Sequence, residues 1–388
     1  MRKDDLGVKS FKYLIQILQN NPNIGYIARA ITPWHAIGVD SAISNLQEKH
    51  NSIQGISLIT PHSKTGFCCD ETIFTNNSNY KFRINPYNHG LNKIKLFFLF
   101  YIFLLSNFLK RKKKDVFIIG STPDPLLAIL AFKYLPNRHI KFLLIDDGAA
   151  KYMGTLHPEK PSKGIINHLK YFHFAYMGNV FITNHLDVDS FCFLKKYQDE
   201  WIKNDEILPY YRQTLKKLSK NVKIQSIFPQ KTFVICTTAW NREQILNNED
   251  LKQLKMVCSI LHNHGFNLLL KPHPRDSFFI QHKDDLYCSL LNADSTAMEV
   301  ICEKYRFQGI ISFSSTILVT AKILFNIPTF NISELLNQSN ISKFYLNEID
   351  SFKKTFKQST YFVKNLADFE SIVKKSSTSI SKQHSKET

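Results

Sequence analysis

The clearest chemical signal in the chain is a histidine between two prolines and two basic residues. The stretch Lys271-Pro272-His273-Pro274-Arg275 directly follows the apolar run Phe266–Leu270. Proline lacks an amide N–H and fixes φ, so a strand over the leucines must end there. An imidazole beside a lysine and an arginine suits a phosphate, as a hydrogen-bond donor or as the proton source for a leaving group. We therefore predict phosphate chemistry at His273, with an ordinary polar loop as the alternative.

An acidic pair, Asp146-Asp147, follows a second apolar run, Ile140–Ile145, and precedes Gly148. Neighbouring residues of a strand point to opposite faces, so one carboxylate can face a substrate while the other braces the loop. Glycine at the next position permits an unusual backbone turn. The functional interpretation is a general base that removes a proton from an acceptor hydroxyl, and the alternative is a turn closed by an Asx hydrogen bond.

A third loop, Ser312-Phe313-Ser314-Ser315-Thr316, lies between the short strand Gly309–Ser312 and a helix over Ile317–Leu324. Hydroxyls and amide N–H groups at a helix amino terminus form an anion site. Capping of the helix by these hydroxyls is expected whether or not a phosphate binds there. Strand alternation points Phe313 into the core.

Alternating apolar runs and helical patterns position these loops. Residues 24–30, 116–120 and 140–145 form one series of strands, and 233–236, 266–270, 309–312 and 329–332 form a second. Continuous apolar strands separated by helices predict parallel sheets in an α/β fold. We predict a GT-B-type α/β architecture, in which two Rossmann-like doubly wound domains face a cleft. The predicted domains are an acceptor-side domain at 1–228 and a donor-binding domain at 229–373, followed by a disordered tail at 374–388. Residues 150–228 read as helical or irregular.

The formal net charge of +18 indicates an anionic partner, although an AT-rich genome would also enrich lysine. Seven scattered cysteines show no metal-ligand spacing, which favours reduced thiols in the cytosol and no metal site. The amino terminus lacks the apolar stretch of a secretory signal. Leu96–Leu105 is too short to span a bilayer, but Lys110–Lys114 follow it. A buried helix beside a solvated charge run and a helix that docks on an anionic leaflet both fit this pattern.

The order DDG, then HP, then SS/T resembles the bacterial GT-B sialyltransferases. Among these, the chain is most similar to the lipooligosaccharide sialyltransferases, glycosyltransferase family 52, over roughly residues 85–335. The similar segments, in the same order, are NPYNHGLNKIK, IKFLLIDDGAAKYMG, KPHPRD, STAMEVI and SFSST before NIPTFNI. Capsule polysialyltransferases come next, with a Glu pair in place of Asp146-Asp147 and a Lys in place of Arg275.

This resemblance implies CMP-sialic acid as the donor substrate, no cofactor, and an inverting displacement without a metal. His273 is then the general acid at the donor phosphate, and Glu299 reaches the ribose or cytosine. By analogy with related families, the general base is Asp147 or Asp146. In family 52 the base is an Asp in the loop after the first strand of the second domain. The corresponding loop here, TTAWNREQ, has no Asp, and Glu243 is its nearest carboxylate and the alternative base. The predicted donor-binding residues are Lys271, Pro274, Arg275, Glu299, Ser312, Ser314, Ser315, Thr316 and Thr238.

We expect a cytoplasmic enzyme, peripheral to the inner membrane, that transfers sialic acid to a terminal galactose of a lipid-linked surface glycan. Capsule polymerisation and transfer of Kdo or a hexose stay open as alternatives, as does a homodimer. A basic nucleic-acid-binding protein is disfavoured, since the chain shows no zinc-finger spacing, RNP motif or recognition helix.

Overall fold

The computed structural model describes most of the chain. It covers residues 11–51, 53–60, 80–83, 93–109, 114–135, 137–153, 182, 186–198, 200–222, 231–238, 248–273, 276, 278–291, 296–336 and 343–384. These residues form two compact units. The first comprises residues up to Asp147, 182–198 and 202–218, and the second comprises 148–153, 200–201 and the residues from Ser219 onward.

A parallel sheet forms the centre of the first unit. Its strands are β1 (Ile24–Ala30), β2 (Gln54–Ile59), β3 (Tyr80–Arg83), β4 (Asp115–Gly120), β5 (His139–Ile145) and β6 (Val188–Phe191). Within the described residues they pair in the order β3-β2-β1-β4-β5-β6, and every pairing is parallel. The order of the strands reverses between β1 and β4, which is the kind of position where open α/β sheets bind ligands.

Helices complete the first unit. They are α1 (Phe11–Asn20), α2 (Pro33–Lys49), α3 (Lys93–Leu109), α4 (Pro125–Tyr134) and, up to Leu218, α6 (Leu208–Ser219). The side chain of Asp124 accepts hydrogen bonds from the amides of Leu126 and Leu127 and so caps α4. A separate two-stranded sheet consists of β7 (Leu194–Tyr197) and β8 (Glu200–Lys203).

The second unit repeats the same sheet order. Its strands are β9 (Thr232–Cys236), β10 (Asn267–Lys271), β11 (Ser289–Leu290), β12 (Gly309–Ser312), β13 (Thr329–Asn331) and β14 (Tyr361–Phe362). In the described part of this unit they pair in parallel in the order β11-β10-β9-β12-β13-β14. Its helices are α5 (Ala149–Met153), α7 (Asn248–Asn263), α8 (Phe278–Gln281), α9 (Met298–Lys304), α10 (Ile317–Phe325), α11 (Lys343–Phe356) and α12 (Leu366–His384), with a 3-10 turn at Ser333–Leu335.

The predicted α/β class with doubly wound parallel sheets is confirmed, and three details differ. The chain first enters the second unit at 147/148, enters it again around residues 200–201 and stays in it from Ser219 onward, whereas the prediction has one boundary after 228. Residues 150–228 contain β6, β7 and β8. Helix α12 continues to His384, where the sequence predicts a disordered tail from 374, because buried Phe369 and Val373 anchor the helix on the core of the second unit.

Candidate active site

The start of helix α2 forms one side of a polar cluster in the first unit. Thr32 caps this helix by accepting a hydrogen bond from the amide of His35, and Pro33 occupies the first turn. Proline is favoured there because its missing N–H would have no partner in the helix. The cap fixes the direction of the two side chains of the first turn, those of Trp34 and His35.

Both side chains contact the acidic pair that follows β5. The indole Nε1 of Trp34 donates a hydrogen bond to Oδ1 of Asp146 at 3.2 Å, and the imidazole Nε2 of His35 pairs with Oδ1 of Asp147. Asp146 is fully buried, whereas the side chain of Asp147 retains 17% of its exposure. Asp147 is therefore the more accessible of the two carboxylates, and Asp146 is held inside by Trp34.

Aromatic packing closes the buried side of this cluster. The ring of Trp34 stacks on Tyr211 of α6 with centroids 5.6 Å apart. Burial, and after it the nearby Asp146 carboxylate, raises the pKa of Tyr211 well above its usual value. Tyr211 therefore stays a neutral phenol and contributes its ring packing to the cluster.

In the second unit, the His273 loop is fixed to the end of β9. The amide N–H of His273 donates to Oγ1 of Thr237 at 2.8 Å, and the amide of Thr237 donates to the carbonyl of Lys271 at 3.2 Å. These bonds hold the backbone at the carboxyl end of β10. His273 and Lys271 are both half-buried, so they remain within reach of a ligand.

Asp276 completes the support of this loop. Its amide donates to the carbonyl of His273 at 2.8 Å, and its buried Oδ1 accepts from the amide of Phe279 at 3.3 Å. Burial raises the pKa of Asp276, while hydrogen bonding to Thr237 opposes that shift. The histidine is thus held by a small network that joins β9, β10 and α8.

The serine loop follows β12, which pairs directly with β9. The hydroxyl of Ser312 is fully buried and donates to the carbonyl of Cys236 at 2.6 Å, so Ser312 joins the two strands. Phe313 lies in the core, as predicted. The prediction of hydroxyl capping is wrong for α10, because its N-cap residue Thr316 has helical backbone angles and makes no cap bond with its side chain.

Two hydroxyls at this sheet edge are buried without a partner in the described part of the protein. They are Oγ of Ser314, after β12, and Oγ1 of Thr238, after β9. A buried polar atom without a hydrogen bond is costly, so such atoms mark places where a water or ligand completes the structure. Because β9 and β12 are neighbours at the point where the strand order reverses, both hydroxyls lie at the expected ligand position.

Thr316 supports the segment that follows the acidic pair. Its Oγ1 accepts a hydrogen bond from the amide of Ala149 at 3.1 Å, and both residues belong to the second unit. Gly148 has φ of +86°, the left-handed region that favours glycine. Tyr152 on α5 packs edge-on against Trp201 and Phe356.

Glu299, predicted to contact the ribose or base, is buried in the first turn of α9. Its Oε1 accepts from Oγ1 of Thr320 on α10 at 2.8 Å. Burial raises the pKa of Glu299, while Thr320 and the positive charge of Lys271 oppose that shift. The observed role of Glu299 is to connect two helices, and contact with a nucleotide stays a prediction.

Three candidate residues, Pro274, Arg275 and Glu243, lie outside the described residues, as does the run 110–113. The structure adds His35, Thr237 and Asp276, which the sequence did not single out. Each follows a strand at its carboxyl end, and that position is the signal that could have identified them. Within the described residues, no group of three or more His, Cys, Asp or Glu side chains is placed to hold a metal ion.

Comparison with known protein families shows the family to which the chain belongs. The profile of the alpha-2,8-polysialyltransferase (POLYST) family matches residues 27–333, which is 307 of the 388 residues. The chain belongs to this polysialyltransferase family. It is therefore a transferase of a sialyltransferase-related family, as the sequence predicts, although the match falls on the family that the resemblance placed second. Family 52 itself stays a prediction. No curated protein sequence matches the chain.

Solved structures resemble this polysialyltransferase family member at low sequence identity. UDP-GlcNAc 2-epimerase from Methanocaldococcus jannaschii is 15% identical with a TM-score of 0.53, and the match covers 90% of this chain and 91% of that chain. This likeness shows the fold alone. The alpha/beta-galactoside alpha-2,3-sialyltransferase from Photobacterium phosphoreum is 14% identical with a TM-score of 0.42, covering 88% and 98% of the two chains. A sialyltransferase from Photobacterium damsela is 12% identical with a TM-score of 0.42, covering 87% and 81%.

Proposed function

We propose that the protein transfers sialic acid from CMP-sialic acid to a hydroxyl group of a glycan, with inversion at the anomeric carbon and without a metal ion. Membership in the polysialyltransferase family supports sialic acid as the transferred sugar. The observation that carries the proposal is the pair of buried hydroxyls without partners, Ser314 and Thr238, at the sheet edge that also bears Lys271 and His273. Hydroxyls, an ammonium group and an imidazole are suitable donors to a nucleotide phosphate.

In the proposed reaction, the acceptor oxygen forms a bond to C2 of sialic acid while the bond from C2 to the phosphate oxygen of CMP breaks. His273 donates a hydrogen bond and then a proton to the departing phosphate. Asp147 accepts the proton of the acceptor hydroxyl, and the contact with His35 holds its carboxylate in place. Glu243 stays the alternative base.

Two acceptors are compatible with this chemistry. The family match favours a glycan that already ends in sialic acid, which the enzyme would extend. The aspartates at 146 and 147 in place of a Glu pair favour the family 52 type of acceptor, a terminal galactose on a lipid-linked glycan. One assay separates them.

The test is incubation of the pure protein with CMP-sialic acid and either a lactose-terminated or a sialyllactose-terminated acceptor, with and without EDTA. We expect release of CMP and one or more mass increments of sialic acid, unchanged by EDTA. A single addition to lactose identifies the galactose acceptor, and a ladder on the sialylated primer identifies the polymerase. Turnover of CMP-Kdo or a nucleotide hexose, with none of CMP-sialic acid, would refute the proposed donor.

Binding of CMP alone tests the phosphate site without catalysis. Ser314→Ala and Thr238→Val should each weaken CMP binding by about 10- to 100-fold, since a hydrogen bond to a charged group contributes about 1.5–3 kcal/mol. The matched control is Ser259→Ala, because that hydroxyl donates to the carbonyl of Lys255 within α7. Equal affinities of CMP for all four proteins would place the donor elsewhere.

A further inference from the structure

Helix α3 presents a continuous apolar face to solvent. Four large apolar side chains of this helix are exposed: Phe98 (66%), Tyr101 (52%), Ile102 (39%) and Leu105 (62%). Their spacing of three, four and seven residues places them on one side of the helix, and we call this set the α3 surface. The other large apolar side chains that are exposed in the described residues, Tyr197, Ile280, Tyr287 and Tyr361, lie on different elements. Single exposed residues are normal, whereas a contiguous apolar patch marks an interaction site.

The opposite face of α3 keeps this surface exposed. Phe100, Phe103 and Leu104 are buried in the core of the first unit. The ring of Phe103 packs edge-on against Phe132 of α4 with centroids 5.8 Å apart. Rotation of the helix to hide the α3 surface would expose these residues, so the exposed face is a fixed property of the folded unit.

The charged residues that flank α3 in the sequence are of one sign. The sequence has no Asp or Glu from residue 72 to residue 114, and the same stretch contains nine lysines and arginines. Lys93 and Lys95 stand at the start of the helix, and the run Lys110–Lys114 follows its end. In the described residues, no helix is long and apolar enough to cross a membrane.

We propose that the α3 surface inserts into the interface of a bilayer leaflet that carries anionic lipid. An apolar helix face with cations at both ends is suited to this position, because the ring and alkyl groups enter the acyl boundary while the cations contact the phosphates. Phenylalanine and tyrosine side chains suit this boundary, tyrosine through its polar hydroxyl. A second copy of the chain is the weaker occupant, because a two-fold contact through this face would bring the same cationic ends together. The proposal does not depend on the identity of donor or acceptor.

Vesicle flotation tests this proposal with the full chain. We expect the wild-type protein to float with vesicles of phosphatidylcholine and phosphatidylglycerol, and much less with pure phosphatidylcholine. Phe98→Ser combined with Leu105→Ser should lower the vesicle partition coefficient about tenfold or more. The matched control is Tyr197→Ser, which removes a side chain that is 62% exposed on β7 and should float like the wild type. Equal flotation of the double variant and the wild type would overturn the proposal.

A fluorescence measurement keeps the proposal testable if the double variant misfolds. Tyr101→Trp should add an emission that brominated lipids quench, and Tyr197→Trp should add one that they do not quench. Equal quenching of the two would overturn the proposal. Sedimentation identifies the rival occupant, because a dimer of the wild type that the Phe98→Ser/Leu105→Ser change abolishes, without vesicle binding, would assign the α3 surface to a second copy.

Discussion

Replacement of Gly148 by alanine should destabilise the second unit much more than the same change at Gly265. Both glycines have positive φ, +86° and +75°. Alanine in this region costs about 1 kcal/mol, which both variants share. Their surroundings differ, because an added Cβ at Gly265 meets no atom within 4 Å.

At Gly148 the added Cβ would lie 2.5 Å from Oγ1 and 3.1 Å from Cγ2 of Thr316. Thr316 is β-branched, so its side chain cannot move without losing the hydrogen bond that it accepts from Ala149. Loss of that bond costs about 1 kcal/mol, and the remaining crowding costs about 1 kcal/mol more. We therefore expect a decrease in the free energy of unfolding of about 3 kcal/mol for Gly148→Ala and about 1 kcal/mol for Gly265→Ala.

Urea denaturation monitored by circular dichroism measures both values. A double-mutant cycle isolates the contact, since Thr316→Ala removes both the hydrogen bond and the obstacle. The double variant should be more stable than the sum of the single changes predicts, by about 2 kcal/mol, because the hydrogen bond is lost only once and the crowding is absent. Equal shifts for the two glycine variants, or strict additivity with Thr316→Ala, would refute this reasoning.

Five further substitutions test the site. His273→Ala should lower kcat by about 10²- to 10⁴-fold with an unchanged urea midpoint, and near-normal turnover would exclude a proton-donor role. Asp147→Asn and Glu243→Gln should lower turnover to different extents, since only replacement of the true base should nearly abolish transfer. Equal mild losses would exclude both residues as the base. His35→Gln should reduce kcat partially with KM retained; unchanged kinetics would make the contact purely structural. Burial raises the pKa of Glu299, so the contribution of Glu299 to stability should fall as pH rises from about 4.5, the usual value for glutamate, through its raised pKa, and Glu299→Gln should remove that fall from the urea midpoint.

Most interior strands of the two sheets are predicted from the sequence, whereas the interior strand β2 and the edge strands are not. β1 and β12 have the bounds that their apolar runs predict, because strands covered on both faces are continuously apolar. β3 and β6 lie at the two edges of the first sheet, and their sequences YKFR and VDSF carry polar side chains. Edge strands face solvent, so the apolar run that would identify them is absent.

The loops of the candidate site are predictable from the sequence because each one follows the end of an apolar strand. The loops at His273, Ser314 and Asp147 follow apolar runs, and the structure places them at the carboxyl ends of β10, β12 and β5. The partner of Asp147 was not predictable, because His35 is 112 positions away in the chain and only the packed sheet brings them together. Thr237 was missed for a related reason, since its contact is with the backbone of His273.

The membership of residues 148–153 in the second unit has a consequence for synthesis of the protein. These residues leave the ribosome early, but their partners Thr316 and Phe356 are made roughly 160–200 residues later. At about 5–20 residues per second, the delay is on the order of 10–40 s. During that interval the ring of Tyr152 lacks its contact with Phe356, and the amide of Ala149 lacks its hydrogen bond to Thr316. A nascent chain of this enzyme therefore carries residues 148–153 without these contacts until the rest of the second unit has been synthesised.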